Sequence, residues 1–473
     1  MIMRERELFV QKDSGLNIYV AGAGAREHAI TKEILKSDRV NNVWTSTAAA
    51  VANKGGEKAV VYRYDSRHAS QQAIDICTRN AVDLVIIGPE NPLIDGIVDD
   101  LTEHGIPAFG PRKDFGWFEG DKEKAKNFMR TNRIPTAEYR VFRDYSQAKQ
   151  YVQSRKEPLV VKDPYPVLGK GAFVCDDQQA ALVALERIMV KKELPSPGDK
   201  VVIEERLYGI EQSITVIISG EDFLVLRTAR DYKHHKGKST GGMGGHSPDG
   251  NEDIFSDQKV IDRIVVPFIE GVRREIGKPY KGIFYPGLMW VYENGEWQPQ
   301  VLEFNIRGGD PETQLVLPGI NEDPVEILLN TINGRLGESH VSFSQDTFLG
   351  VYAVSGKVPQ EEEFEGYPGK YKEGQMITGI QDIKEDEKGY VLHGGTRWVC
   401  HEQRQHLVQC NDGHYETAGG RVALAVGRGP DLPTARMNGY KKLAEFNFNS
   451  KDARPDIGDP ELLRREREQY ERH

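Results

Sequence analysis

The sequence holds little that would tie it to a membrane, a disulfide scaffold or a nucleic acid. No apolar run in its 473 residues approaches the roughly 20 needed to span a bilayer. The opening stretch, MIMRERELFVQKDSG, is charged and lacks an apolar segment with a cleavage site, so the expected location is the cytoplasm. Cysteine is scarce: Cys77, Cys175, Cys400 and Cys410 are scattered, with no CxxC pair and no metal-ligand spacing, and all are expected as buried thiols. A net charge of −10 argues against sequence-independent nucleic-acid binding, which needs a basic face to displace counterions. Small anions stay possible, because local amide nests and a few cations hold them whatever the total charge. There is no internal repeat and no low-complexity block. What remains is an ordinary globular composition, 38% hydrophobic and 28% charged, long enough for two to four domains.

From Leu16 to Pro111, short apolar runs alternate with amphipathic segments. LNIYVAGA (16–23), NVWTS (42–46), AVVYR (59–63), LVIIG (84–88) and PAFG (107–110) read as strands. AREHAITKEILKS, HASQQAIDICTRN and LIDGIVDDLTEHG read as helices. This alternation predicts a doubly wound parallel sheet over 16–112, with ligands gathering at the carboxyl ends of its strands. Two turns fall there, AGAGAREHA (21–29) and GPENPL (88–93).

A second region is expected over 113–340. It opens with a charged connector helix, WFEGDKEKAKNFMRTN, followed by a small mixed subdomain over about 138–207 and then a core. The strands there are YRVF, EPLVVKD, GAFVCDD and KVVIEERL, with QQAALVALERIMVKK as an amphipathic helix. A glycine-rich stretch, KGKSTGGMGGHSPDG (236–250), precedes a long helix (257–276) and the strands IFYPGLMWVYE and PQVLEFN. A smaller β-rich unit is expected over 341–450, and 451–473 reads as a charged tail, a solvated helix end or frayed terminus.

The strongest local signal is VLEFNIRGGDPETQ (301–314). Strand alternation would turn Leu302 and Phe304 one way and Glu303 and Asn305 the other, setting a carboxylate beside an amide oxygen. Such a pair suits Mg²⁺, with Mn²⁺ possible, because Mg²⁺ takes one or two protein ligands and completes its octahedron with phosphate and water. Arg307 follows, able to meet a phosphoryl oxygen or a carboxylate bidentately, and the turn adds Asp310 and Glu312. Lys122 in EGDK, Lys162 in VVKD and Lys170 in LGKGAF suit nucleotide phosphates. Glu204, Glu205 and Glu211 lie on or after the next strands, in reach of an adenine amino group or ribose hydroxyls. Taken singly, each motif reads equally as a solvated strand end or surface turn.

Together they resemble the ATP-grasp enzymes, and more narrowly the phosphoribosylamine–glycine ligase family. The resemblance runs through REHA (26–29), GPENPL (88–93), FGP (109–111), EGDK (119–122), IPTA (134–137), VVK (160–162) and GKG (169–171). It continues through IEE (203–205), TGGMG (240–244), YPGLM (285–289), EFNIR (303–307), GDPETQ (309–314), HGGT (393–396), GGRV (419–422) and DIG (456–458). It implies an α/β protein with a doubly wound N-terminal domain, an ATP-grasp pair and a small β-rich C-terminal domain. ATP would lie between the halves of the grasp, held by Lys122, Lys162 and Glu211, with Glu303 and Asn305 on the metal. Arg307, Lys162 and Asp310 would carry catalysis. Gly24, Arg26, Glu27, His28, Pro89 and Glu90, with Gly242, Met243, Gly244 and Arg307, would meet the substrates.

The partners implied are a small-molecule amine and an amino acid, with no nucleic acid or membrane, for a monomer or homodimer. The reaction implied is ATP-driven joining of glycine to phosphoribosylamine through an acyl phosphate.

The chain departs from the family pattern at three places. The first turn reads Gly22-Ala23-Gly24-Ala25-Arg26-Glu27-His28, the loop after the second strand reads Thr47-Ala48-Ala49-Ala50-Val51, and the loop before GKG reads Asp163-Pro164-Tyr165-Pro166-Val167-Leu168. A paralogue joining another amine or amino acid therefore stays open beside the family reaction. A silent nucleotide-binding homologue would have no chemical need for Lys122, Lys162, Glu303, Asn305 and Arg307. A dehydrogenase is disfavoured, because GAGAREH lacks the third glycine of the dinucleotide fingerprint.

Overall fold

The computed structural model describes residues 15–46, 64–166, 171–251, 255–359, 361–400 and 413–471. The expected strand 59–63, the loop 47–51 and Lys170 lie outside them.

The N-terminal sheet is parallel, in the order β2 (Val40–Thr45), β1 (Leu16–Ala21), β3 (Leu84–Ile87), β4 (Ala108–Phe109). Its central strands β1 and β3 are short, mostly apolar runs covered on both faces, as crossover helices require, while the edge strand β2 (VNNVWT) is only partly buried. Those helices are α1 (Ala25–Ile34), α2 (Ala69–Asn80), α3 (Glu90–Asp95) and α4 (Ile97–Glu103). The single helix expected after GPENPL is two, because Gly96 takes a left-handed conformation (φ 103°) between α3 and α4. The connector is likewise split into α5 (Trp117–Gly120) and α6 (Lys122–Thr131), and the Asp121 side chain caps α6 by accepting from the Lys124 amide.

Strands β5 (Tyr139–Phe142), β6 (Leu159–Lys162), β7 (Ala172–Cys175) and β8 (Val201–Glu205) form an antiparallel sheet ordered β5-β8-β6-β7. Helices α7 (Tyr145–Ser154) and α8 (Gln178–Met189) cover it with a hydrophobic core of their own, including Val152, Val161, Leu185 and Ile203. This lid is thus packed independently of the body beneath it.

The body is a second antiparallel sheet of β9 (Ile210–Ser213), β10 (Val216–Ser219), β11 (Asp222–Val225), β16 (Lys281–Glu293) and β17 (Glu296–Asn305). Its buried Trp290, Phe284 and Phe304 share one core with Tyr19, Val85 and Leu101 of the N-terminal unit. The long helix expected at 257–276 is α9 (Asp257–Val260), a π turn (Ile261–Val265) and α10 (Val266–Glu275). The π turn comes just before Pro267, which has no N–H to give.

Part of the glycine-rich stretch is not loop. After β12 (Arg230–Asp231) and the hairpin β13 (His234–His235) and β14 (Lys238–Ser239), residues Gly244–Ser247 form β15. This strand pairs with the fully buried β18 (Thr347–Ser355). A Cβ on Gly244 would lie 2.2 Å from the Gly350 carbonyl oxygen, so the strands approach closely only because residue 244 is glycine. The sheet runs β12-β15-β18-β23-β20, where β20 is Gly389–His393 and β23 is Arg421–Gly429. It therefore joins strands from either side of residue 340.

Between the body and β18 lie α11 (Glu312–Val316) and α12 (Pro324–Ile332). A small sheet of β19 (Met376–Ile377), β21 (Thr396–Cys400) and β22 (Gly413–Thr417), with α13 (Leu432–Ala444) and the edge strand β24 (Lys451–Asp452), completes the C-terminal unit. Cys77 and Cys175 are buried free thiols as expected, but Cys400 is disulfide-bonded, a pairing at a hairpin end that scattered spacing does not reveal. The charged tail is not a loose end either: Pro460–Glu471 form α14, whose Tyr470 packs against the shared core.

Candidate active site

One cavity of about 1730 Å³ lies between lid, body, N-terminal sheet and C-terminal unit. Its lid side is built around Glu204. This carboxylate is 2% exposed, and its Oε2 accepts from Lys126 Nζ at 3.0 Å and from Lys162 Nζ at 2.9 Å. Burial opposes the charge, yet Lys126 and Lys162 outweigh it and hold the carboxyl below its usual range. Burial wins for Lys126, whose ammonium is pushed down to about 8 despite Glu204. Lys122, one turn earlier on α6, is also lowered by burial against the pull of Glu303, and its Nζ donates to the Tyr165 carbonyl.

The body side is β17, and it departs from plain alternation. Gly287 faces Glu303 while Leu288 faces Val301, so Leu302 is the extra residue of a β-bulge. Val301 and Phe304 enter the core, whereas Leu302 stays half-buried on the cavity wall, outside that core. Glu303 and Asn305 both line the cavity, as the motif implied. Asn305 Nδ2 donates to the Tyr285 carbonyl at 3.2 Å, which leaves its amide oxygen for another partner. Lys233, Lys122, Lys162 and Arg307 together overcome burial and keep the Glu303 carboxyl low. No ion pair or hydrogen bond to the Glu303 carboxylate occurs among the described residues. A low carboxylate facing a cavity among cations, without a partner of its own, fits a hard cation beside an anionic ligand.

Arg307 closes this end. Its Nη2 lies 3.0 Å from Glu119 and its Nε 3.2 Å from Glu90, and these carboxylates raise its pKa in spite of burial. Arg26 Nη1 donates to the Gly308 carbonyl at 3.0 Å, tying α1 to the same turn. Further along, Lys233 Nζ pairs with Glu211 at 3.0 Å, and Glu312 accepts from Tyr285 (2.6 Å) and Ser213 (2.8 Å). Burial and the neighbouring Glu312 lift the Asp231 carboxyl well above its ordinary value. From the C-terminal unit, Arg421 Nη2 donates to Asp310 Oδ2 at 2.8 Å and its Nη1 to the carbonyls of Asp310 (3.0 Å) and Gly241 (2.6 Å).

Residues 16–119, 120–313 and 364–460 match, in turn, the N domain, the ATP-grasp (A) domain and the C domain of phosphoribosylglycinamide synthetase. The phosphoribosylamine–glycine ligase of Rhodopirellula baltica is 36% identical, over 95% of this chain and 99% of that one. The chain belongs to the phosphoribosylamine–glycine ligase family. A bifunctional purine biosynthetic protein of Dictyostelium discoideum is also 36% identical, and the chain spans 56% of its length. The crystal structure of the Thermotoga maritima phosphoribosylamine–glycine ligase superposes with a TM-score of 0.73 at 25% identity, covering 93% of this chain and all (100%) of that one.

Of the residues expected from the sequence, the cavity wall brings together Arg26, Glu90, Lys122, Lys162, Glu204, Glu205, Glu211, Glu303, Asn305, Arg307 and Asp310. Glu205 is at the rim, paired with Arg155 at 3.3 Å. The wall does not include Gly24, Glu27, His28, Pro89, Gly242, Met243 or Gly244. Gly24 and Glu27 cap α1, the Gly24 amide donating to Glu27 at 2.7 Å. Pro89 precedes α3, and His28 Nδ1 accepts from the His393 amide at 2.9 Å. Met243 is buried in the C-terminal core, so TGGMG reaches the cavity through Thr240 and Gly241.

Lys126, Glu119, Lys233 and Arg421 were missed from sequence. Lys126 had a signal, standing four residues after Lys122 on one helix face. Arg421 lies in GGRV, but its partner Asp310 is 111 residues away, beyond any local pattern.

Proposed function

We infer that this cavity joins glycine to phosphoribosylamine with ATP, giving glycinamide ribonucleotide, ADP and phosphate. Glycine's carboxylate oxygen attacks the γ-phosphorus and ADP leaves. The amine nitrogen then attacks the acyl carbon, the bond to the phosphate oxygen breaks, and the nitrogen gives up one proton to the departing phosphate. No side-chain nucleophile enters, so the protein's work is positioning and neutralising charge.

The observation that carries this reading is Glu303, unpaired among the described residues and held ionised by four surrounding cations. Glu303 and Asn305 would hold Mg²⁺, or Mn²⁺ in its place, which when bound supplies positive charge to the phosphate oxygens. Lys122 and Lys162 face the α- and β-phosphates, and Arg307 receives the carboxylate or the moving phosphoryl group. Asp310 serves through Arg421, which it orients. Arg26 and Glu90, at the carboxyl end of the parallel sheet, are the N-terminal residues that would meet the amine substrate. We read the protein as a monomer or a homodimer working in the cytoplasm, where ATP is supplied.

The test supplies ATP, Mg²⁺, glycine and freshly made phosphoribosylamine, and looks for glycinamide ribonucleotide by mass. Product formation with stoichiometric ADP is expected. ADP release with other amines but none with phosphoribosylamine would sink the reading.

A further inference from the structure

The charged tail contributes more to the cavity than composition suggests. In α14, Leu462, Arg465, Glu466, Gln469 and Tyr470 all line the large cavity. Their spacing, i, i+3, i+4, i+7 and i+8, is one helical face. The opposite face is an ordinary solvated one, where Arg464 pairs with Glu461 at 2.8 Å and also with Glu468. The lining face is anchored: Glu466 forms an ion pair with Arg230, whose side chain is only 9% exposed, and Tyr470 packs on the shared core. Burial pushes the Tyr470 phenol up, with Glu466, Arg206 and Tyr208 among its neighbours.

Arg206 and Tyr208 belong to the connection 206–209 between β8 of the lid and β9 of the body. That connection is pinned at Gly209, where a Cβ would stand 1.9 Å from the Trp290 carbonyl oxygen. The helix thus flanks the hinge side of the cavity, while Lys122, Glu303 and Arg307 hold the phosphate side. It presents an apolar Leu462, a planar guanidinium, a carboxamide and an aromatic ring. Gln469 is exposed. Arg465 is paired with Glu461 at 2.8 Å and Glu466 with Arg230, so the groups left to a ligand are Leu462, the carboxamide and the ring, which suit a flat heteroaromatic ring with a polar edge.

We propose that α14 forms the outer wall of the nucleotide's base end, with Gln469 and Tyr470 contacting the adenine and ribose. The proposal rests on the reading that the cavity takes ATP. Its consequence is that the C-terminal unit touches the nucleotide at one end and, through Arg421, the Asp310 turn at the other.

The experiment measures binding of ADP and of inorganic tripolyphosphate by calorimetry to the full chain and to Gln469→Ala, Tyr470→Ala and Glu466→Gln, with thermal unfolding as a control on folding. The two alanine variants should weaken ADP by about 5- to 30-fold, the loss of one or two aromatic or polar contacts. They should leave tripolyphosphate, which occupies only the phosphate side, unchanged. Glu466→Gln, which frees the helix from Arg230, should do the same more weakly. ADP affinity unchanged in all folded variants would overturn the proposal. Equal weakening of ADP and tripolyphosphate would overturn it too, since the helix would then be acting on the whole fold. Absence of ADP binding by the unaltered chain would instead sink the ligase reading itself, and this proposal with it.

Discussion

Lys162 Nζ, on the lid, donates to the Leu302 carbonyl of the body at 3.2 Å. Leu302 is the bulged residue of β17, so the irregularity that separates it from Phe304 also offers a carbonyl to the lid. The same ammonium holds Glu204 at 2.9 Å. Lid and body are therefore linked through a group that a phosphate would compete for. A lid with its own core can then shift as a unit when phosphate replaces the Leu302 carbonyl.

Replacing Lys162 with Met removes that charge while Lys126 still neutralises Glu204. The expected loss in ATP affinity is about 1.5–3 kcal/mol, the worth of a hydrogen bond to a charged group. Calorimetry with ATP measures it directly, and an unchanged affinity would place Lys162 in a purely structural bridge.

Glu303 differs from Glu204 in lacking a partner among the described residues, so Glu303→Gln removes no ion pair from the fold. ADP formation should fall by about 10²–10³-fold, the scale seen when one charge-stabilising group is lost, while the variant stays folded and its unfolding midpoint falls only by the lost attraction to the four surrounding cations. A folded variant turning over normally at saturating Mg²⁺ would take Glu303 out of the metal site.

The parts that could be read from the chain are those written as local periodicity. The strands Leu16–Ala21 and Leu84–Ile87 announce a parallel sheet because both faces are apolar, and the lid helix Gln178–Met189 shows its buried stripe. Glu303 and Asn305 were legible because the bulge precedes them and leaves their own alternation intact. The bulge itself was not, since Val301 and Leu302 are equally apolar and only pairing with Gly287 and Leu288 decides which is extra. The Gly244–Ser247 strand hid behind its glycines, which signal a loop unless the Gly350 backbone beside them is known. A solvated helix end was one reading of the tail, and a helix is there; what local pattern could not show is that one of its faces is anchored, because the Arg230 that holds Glu466 lies 236 residues away.

Arg421 tests how far the C-terminal unit shapes the site. Arg421→Ala leaves Asp310 Oδ2 without its donor, while Tyr352 (2.5 Å) and Gln314 (2.7 Å) keep Oδ1. The expected cost is about 1.5–3 kcal/mol, shared between stability and turnover. Arg421→Lys should restore little, because an ammonium cannot serve the carboxylate and the Gly241 carbonyl in the guanidinium's plane. A KM for glycine and a kcat both unchanged in the alanine variant would show that Asp310 needs no such support.

The acid limb of stability should come partly from the contact between α1 and β20. His28 Nδ1 can accept from the His393 amide only while that nitrogen is unprotonated, and the His393 ring contacts Thr396 at 3.0 Å. Burial lowers both imidazoles, His28 well below 6.5 with help from His393 and Lys32, and His393 to about 4. Because the folded values lie below the unfolded one, the unfolded chain binds the extra protons first. Their contribution is therefore complete above about pH 6.5 and is lost as pH falls from there toward 4. Urea unfolding between pH 7 and pH 4.5 should show a falling midpoint in the unaltered chain. His393→Gln should be less stable at pH 7 but show a shallower fall, since it keeps a polar side chain and cannot titrate. A slope in that variant equal to the unaltered chain's would assign the acid sensitivity to other groups, with His246, also held at about 4 by burial, the next to test.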